Sequence, residues 1–144
     1  MRYKVGRPGR VVVVRLEDGD DAISAINTVV KETGIKAAVF YILGGLKKAR
    51  IVVGPEKDEL PPVPVWREIE ESHEVIGIGT IFYQDGEPKV HLHSALGKRD
   101  DVVVGCVREK AETFLVLEVF IIEILDIEAV RELDPSTGLS LLRL

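Results

Sequence analysis

The sequence predicts an α+β fold: a strongly twisted antiparallel or mixed sheet, barrel-like, with one main helix packed on it. Three observations lead there. About eight stretches are rich in Val, Ile and Phe and are bounded by Gly, Pro or Asp, as strands are. Only one stretch, after Asp20-Asp21, repeats apolar residues at helical spacing. Helix and strands do not alternate, which excludes a doubly wound parallel sheet. A chain of 144 residues is expected to form one domain, 1–144, with a sizeable core.

The elements follow in order. "RVVVVRL" (10–16) is β-branched and ends at the turn residues Asp18-Gly19, so it reads as a strand. Asp20 or Asp21 caps a helix whose stripe is Ile23, Ile26, Val29 and Val30, and Gly34 stops it. "KAAVFYILGGL" (36–46) is a second strand, in which Gly44-Gly45 marks a bulge or a close backbone approach. "ARIVVG" (49–54) is a third. Four prolines within residues 55–65 rule out an interior strand or helix and predict a surface excursion. "HEVIGIGTIFYQ" (73–84) is a strand with Gly77 and Gly79 on one face, and Asp85-Gly86 turns it back. "PKVHLHSAL" (88–96) and "DVVVGCV" (101–107) make a further hairpin around "GKRD". "TFLVLEVFIIEIL" (113–125) is the most apolar strand, and a Pro-Ser-Thr-Gly turn and a short strand close the tail.

Composition narrows the function. Hydrophobic residues at 46% and charged residues at 30% suit a soluble globular protein, and no apolar run reaches the roughly 20 residues of a membrane span. The basic start "MRYKVGRPGR" has no apolar core behind it, so it is not a signal peptide. Cys106 is the single cysteine and forms no disulfide within the chain, which fits a reducing, cytoplasmic setting. One Asn (Asn27) and one Gln (Gln84) in a chain rich in Glu, Lys and Arg lean toward a thermophilic source. A net charge of −5 argues against duplex binding by the whole surface. It leaves two basic clusters, Arg2, Lys4, Arg7 and Arg10 near the start, and Lys47, Lys48 and Arg50. No nucleophile–base pair, phosphate loop or paired-carboxylate signature points to an enzyme.

The one constellation with chemistry is "VHLHSAL" (90–96). Alternation along a strand puts His91 and His93 on one face, with Cα atoms roughly 6.6–6.8 Å apart, and Val90, Leu92 and Leu96 on the core face. Folding the hairpin about Lys98-Arg99-Asp100 pairs either His91 or His93 with Cys106. Both registers bring the sole sulfur beside the two rings. Two imidazoles and a thiolate suit zinc and leave a fourth position open. The plainer reading is two rings and a thiol that fill space. His73, beside Glu70, Glu71 and Glu74, reads as a surface residue.

These pieces resemble the plants-and-prokaryotes-conserved (PPC) domain over roughly residues 7–144. "RPGRVVVVRLEDGDDAISAINTVVKETGIKAAVF" is similar to its opening strand, turn and helix, and "ILGGLKKARI" to its glycine segment. "HEVIGIGTIFYQDGEPKVHLHSAL" is similar to its central hairpin with His-x-His, and "LEVFIIEI" and "RELDPSTGLSLL" to its closing strand and tail. "VVVGCV" stands where the family usually has Gly-Gly-His. The resemblance implies an α+β fold, a homotrimer and, in some prokaryotic members, zinc. Carried over by position, the ligands are His91, His93 and Cys106, with cysteine in place of the third histidine. Plant members carry an AT-hook. Here "VGRPGR" has Val5 where its first arginine belongs and runs straight into a strand, so it reads as a turn before that strand.

Three functions compete. The first is a homotrimeric binding or regulatory module that contacts regulatory proteins or DNA, with apolar residues on both faces of 113–125 meeting a neighbouring subunit. The second is a zinc-dependent enzyme acting on a small oxo acid, since the PPC fold is remotely similar to acetolactate decarboxylase; Glu74 and Glu118 would be its candidate carboxylates. The third is DNA binding through Arg2, Lys4, Arg7, Arg10, Lys47 and Lys48, which would depend steeply on salt. The first is the reading the sequence favours.

Overall fold

The computed structural model describes all residues, Met1–Leu144. The elements run β1 (Arg7–Glu17), α1 (Ala22–Thr33), β2 (Ala38–Pro55), β3 (Pro64–Ile69), β4 (His73–Gln84), β5 (Glu87–Lys98), β6 (Asp101–Leu125), β7 (Val130–Asp134) and β8 (Leu139–Arg143). They form one eight-stranded sheet in the order β3-β2-β6-β5-β4-β7-β8, with β1 on β6. A further pairing joins β2 to β4, so β2, β6, β5 and β4 curl into a partial ring. All pairs are antiparallel except a single parallel contact, Tyr83 with Val130. No helix is long and apolar enough to cross a membrane.

The helix follows from its caps and its stripe. Asp21 accepts a hydrogen bond from the Ser24 N–H at 2.9 Å, and Gly34 ends the helix in the left-handed conformation. Ala22, Ile26 and Val30 are buried on one side. They join Phe40, Ile42, Ile81, Leu92, Leu117 and Ile121, all at 2% exposure or less, in one core cluster. Each large side chain buried there contributes roughly 1.5–3 kcal/mol before entropy is counted.

Two pairs of expected strands are single long strands. Residues 36–46 and 49–54 fuse into β2 because Lys47 and Lys48 point outward to carboxylates: Lys47 meets Asp18 at 2.8 Å and Glu112 at 3.3 Å, and Lys48 meets Glu112 at 3.6 Å. Residues 101–107 and 113–125 fuse into β6 because Ala111 and Thr113 sit buried between outward charges, and Ala111 pairs with Ala49. The charge runs look like loops in the sequence, yet they are the outer face of a continuous ladder. The expected bulge at Gly44-Gly45 is present as a register shift against β6. Gly44 has φ 139°, and a Cβ there would meet the Val116 carbonyl oxygen at 2.3 Å. Leu115, across the bulge, has φ 62°, and its N–H donates to Asp18 Oδ1 at 2.9 Å.

Two elements were not expected. "PVWREI" forms β3 on the outer edge of β2, a position that tolerates its leading proline. The tail makes a β7–β8 hairpin instead of one strand. The strand β1 begins at Arg7, so the expected turn over 5–10 is only its first part.

Candidate metal centre

The site is built by hairpin registers. Asp85 and Gly86 both take positive φ, 52° and 84°, which gives the tight two-residue turn that pairs Gln84 with Glu87. The next turn, Arg99-Asp100, pairs Lys98 with Asp101. Of the two registers left open by the sequence, this one places His93 opposite Cys106. His93 also lies opposite Ile78, and His91 opposite Thr80. Leu92, between the histidines, points to the other side and is fully buried, as are Leu96 and, in part, Val90. One face of β5 belongs to the core, and the other carries both imidazoles.

The ligand atoms converge. His91 Nε2 and His93 Nε2 lie 3.1 Å apart, with the rings edge to face at a centroid separation of 4.9 Å. Nitrogens and the Cys106 sulfur all lie within 4.8 Å of one another. Burial pushes the Cys106 thiol above its ordinary range, against the pull of Arg108 and Arg131. Burial, then the positive charge of Arg131, His93 and Arg108, lowers His91 to about 4. Arg131 Nη2 approaches His91 Nδ1 at 3.2 Å. A guanidinium only donates, so Nδ1 accepts and the His91 proton sits on Nε2, facing His93.

The walls come from elements on either side. A cavity of about 660 Å³ opens over His93 and Cys106, lined by Val52 and Trp66 from the β2–β3 edge, Pro62 and Pro64 from the proline excursion, and Arg108 and Leu139. Arg50 stacks over the Trp66 ring at 4.2 Å and holds it in place. Gly105 permits the close approach of β2: a Cβ there would meet the Val52 carbonyl oxygen at 2.4 Å. Trp66, Arg108 and Arg131 are the site residues that sequence reasoning missed. Trp66 had a signal, as the sole tryptophan directly after the proline run. Arg131 had none, because only the β7 pairing brings it to His91.

The other sequence candidates lie elsewhere. Glu74 is exposed and sits opposite Gly97 and Gly45, four register steps from the His93–Ile78 pair. Glu118 is exposed opposite Leu43 and Arg15, on the far half of β6 from Cys106. Neither carboxylate lines the cavity over His93 and Cys106. His73 lies at the surface, its Nδ1 2.7 Å from the Glu71 carbonyl. The basic residues are largely spent on partners. Lys4 donates to the Glu128 carbonyl at 2.7 Å, Arg7 pairs with Asp126 at 2.6 Å, and Arg10 forks onto Glu123 with both contacts at 2.8 Å. The Arg10 hydrogen bonds hold the Glu123 carboxyl down at about 2. Lys47 and Lys48 meet Asp18 and Glu112, and Arg2 is exposed.

A family model described as the Plants and Prokaryotes Conserved (PCC) domain matches residues 3–125. The chain belongs to this family. The PCC chain is similar to a metal-containing protein from Archaeoglobus fulgidus, at 29% identity and a TM-score of 0.87 over 100% of both chains. It is similar to a plant- and prokaryote-conserved (PPC) protein from Pyrococcus horikoshii, at 27% identity and a TM-score of 0.86, over 100% of this chain and 98% of that one. A "putative DNA-binding protein" from Ralstonia eutropha JMP134 shares the PCC fold at 16% identity and a TM-score of 0.77, over 92% and 90% of the two chains. No curated protein matches the PCC chain.

Proposed function

We propose that this PCC chain is a homotrimeric binding or regulatory module that holds one zinc ion on His91, His93 and Cys106. The observation that carries the reading is the convergence of two imidazoles and one sulfur within 4.8 Å at the His93–Cys106 pair. Tetrahedral zinc with N and S ligands needs separations of about 3.3–3.6 Å, so the two nitrogens, 3.1 Å apart, would part slightly and the sulfur would move inward by up to about 1 Å through side-chain rotation. Ligation through His91 Nε2 would move the ring proton to Nδ1, and Arg131 would then give up its contact there. When bound, zinc would supply a Lewis-acidic centre with a fourth position open to a ligand. A similar protein at 29% identity is described as metal-containing, which supports a metal here.

Exposed apolar residues support self-association. Tyr41, Leu43, Ile76, Ile78, Val102 and Val104 are all between 42% and 68% exposed. Register places Leu43 beside Ile76, Ile76 beside Ala95, and Ala95 beside Val104, so they form a continuous band on the His93 side of the sheet. A band of this kind marks an interaction surface, and a second and third copy of the chain is the occupant we propose.

The enzyme reading is weaker because no carboxylate lines the cavity over the zinc ligands. The DNA reading is weaker because most of the basic residues that would serve it already meet acidic partners. Cobalt(II) substitution tests the metal assignment. We expect a sulfur-to-cobalt charge-transfer band in the wild-type protein and its loss in Cys106→Ser. An identical spectrum from both proteins refutes the ligand set.

A further inference from the structure

Arg131 is a buried charge that no carboxylate meets. The residue is 8% exposed, and its contacts are Ser140 O at 3.2 Å, Thr80 Oγ1 at 3.0 Å and His91 Nδ1 at 3.2 Å, none of them anionic. Its Nε has no partner. By contrast Arg7, Arg10, Arg15, Arg50 and Arg143 each meet a carboxylate. An uncompensated buried charge is costly, so such a group implies an anion that arrives later.

The surroundings define that anion. Arg131 lines a second cavity, of about 330 Å³, together with Arg108 and Lys89. Neither Asp nor Glu lines it, although the chain carries a net charge of −5. His91 and Ser140 complete its polar side, and Val90, Leu139, Leu141 and Leu142 form an apolar side. Arg108 borders both this cavity and the one over His93 and Cys106. Guanidinium donors match a carboxylate in geometry, and the leucines match a short hydrocarbon body. We propose that Arg131, Arg108 and Lys89 form a binding site for a small organic carboxylate beside His91. The site does not require a bound metal, so its test is separate from that of the zinc centre.

The test uses the full-length protein after treatment with a chelator. Thermal unfolding is followed during titration with sodium butyrate, sodium acetate or inorganic phosphate, each at constant ionic strength set with sodium chloride. Saturable stabilisation is expected, stronger with butyrate than with acetate. Arg108→Ala, an exposed position, should weaken butyrate roughly tenfold, and Arg131→Gln should abolish its effect. If Arg131→Gln does not fold, Arg108→Ala and Lys89→Ala decide. No stabilisation beyond the chloride control overturns the site, as does equal stabilisation of wild type and Arg108→Ala. Phosphate binding more tightly than butyrate overturns the carboxylate assignment.

Discussion

Gly105→Ala is the substitution that most directly couples backbone packing to the centre. The added Cβ would lie 2.4 Å from the Val52 carbonyl oxygen and 3.0 Å from its carbon, and both are backbone atoms. Ordinary contact begins near 3.4 Å, so β2 and β6 must part by roughly 1 Å where Val52 pairs with Cys106. Overpacking of this kind costs about 1–3 kcal/mol. The same displacement moves Cys106 relative to His93, and a ligand sphere tolerates only tenths of an ångström. Gly97→Ala in the same hairpin is the control, since nothing lies within 4 Å of a Cβ there. Urea unfolding of chelator-treated protein should show the Gly105→Ala loss, with Gly97→Ala within about 0.5 kcal/mol of wild type. Zinc affinity should fall at least tenfold in the first variant and hold in the second, by competition with a chromophoric chelator. Wild-type stability and zinc affinity in Gly105→Ala would mean that the close approach of β2 does not hold Cys106 in place.

Three other predictions follow from single residues. Leu92→Ala removes a fully buried side chain and should cost about 2–5 kcal/mol in urea unfolding while zinc stoichiometry stays at wild type, because Leu92 faces away from the ligands. Without metal, His91 is held neutral by a pKa lowered from 6.5 to about 4; its contribution is intact above pH 6.5 and is lost as pH falls toward 4. Chelator-treated protein should therefore lose up to about 3 kcal/mol across that window, and His91→Gln should flatten the slope in pH-dependent unfolding. Ile78→Asp puts a charge in the exposed apolar band and should shift sedimentation equilibrium from trimer to monomer without change in the circular dichroism spectrum.

The sequence was readable where one residue type had one structural use. The β4–β5 hairpin was set by Asp85-Gly86, the helix by Asp21 and Gly34, and the His91/His93 face by strict alternation. The position of Cys106 followed to within one register step because an antiparallel hairpin fixes the sum of paired numbers. Legibility failed where charges had two uses. Lys47-Lys48 and the run 108–112 looked like breaks, yet each continues a strand whose outward residues meet opposite charges. It failed again for Arg131, whose role depends on β7 crossing to β4 through one parallel pair. Only three-dimensional closure of the tail supplies that residue. Glu74 and Glu118 share strands or neighbouring strands with the site, and register carries both away from His91, His93 and Cys106.

Elemental analysis of purified protein after zinc loading and removal of excess metal bears most directly on the centre. We expect one zinc per chain in the wild type, and far less than one in each of His91→Ala, His93→Ala and Cys106→Ser. Wild-type protein without zinc, or full zinc content in all three variants, would contradict it.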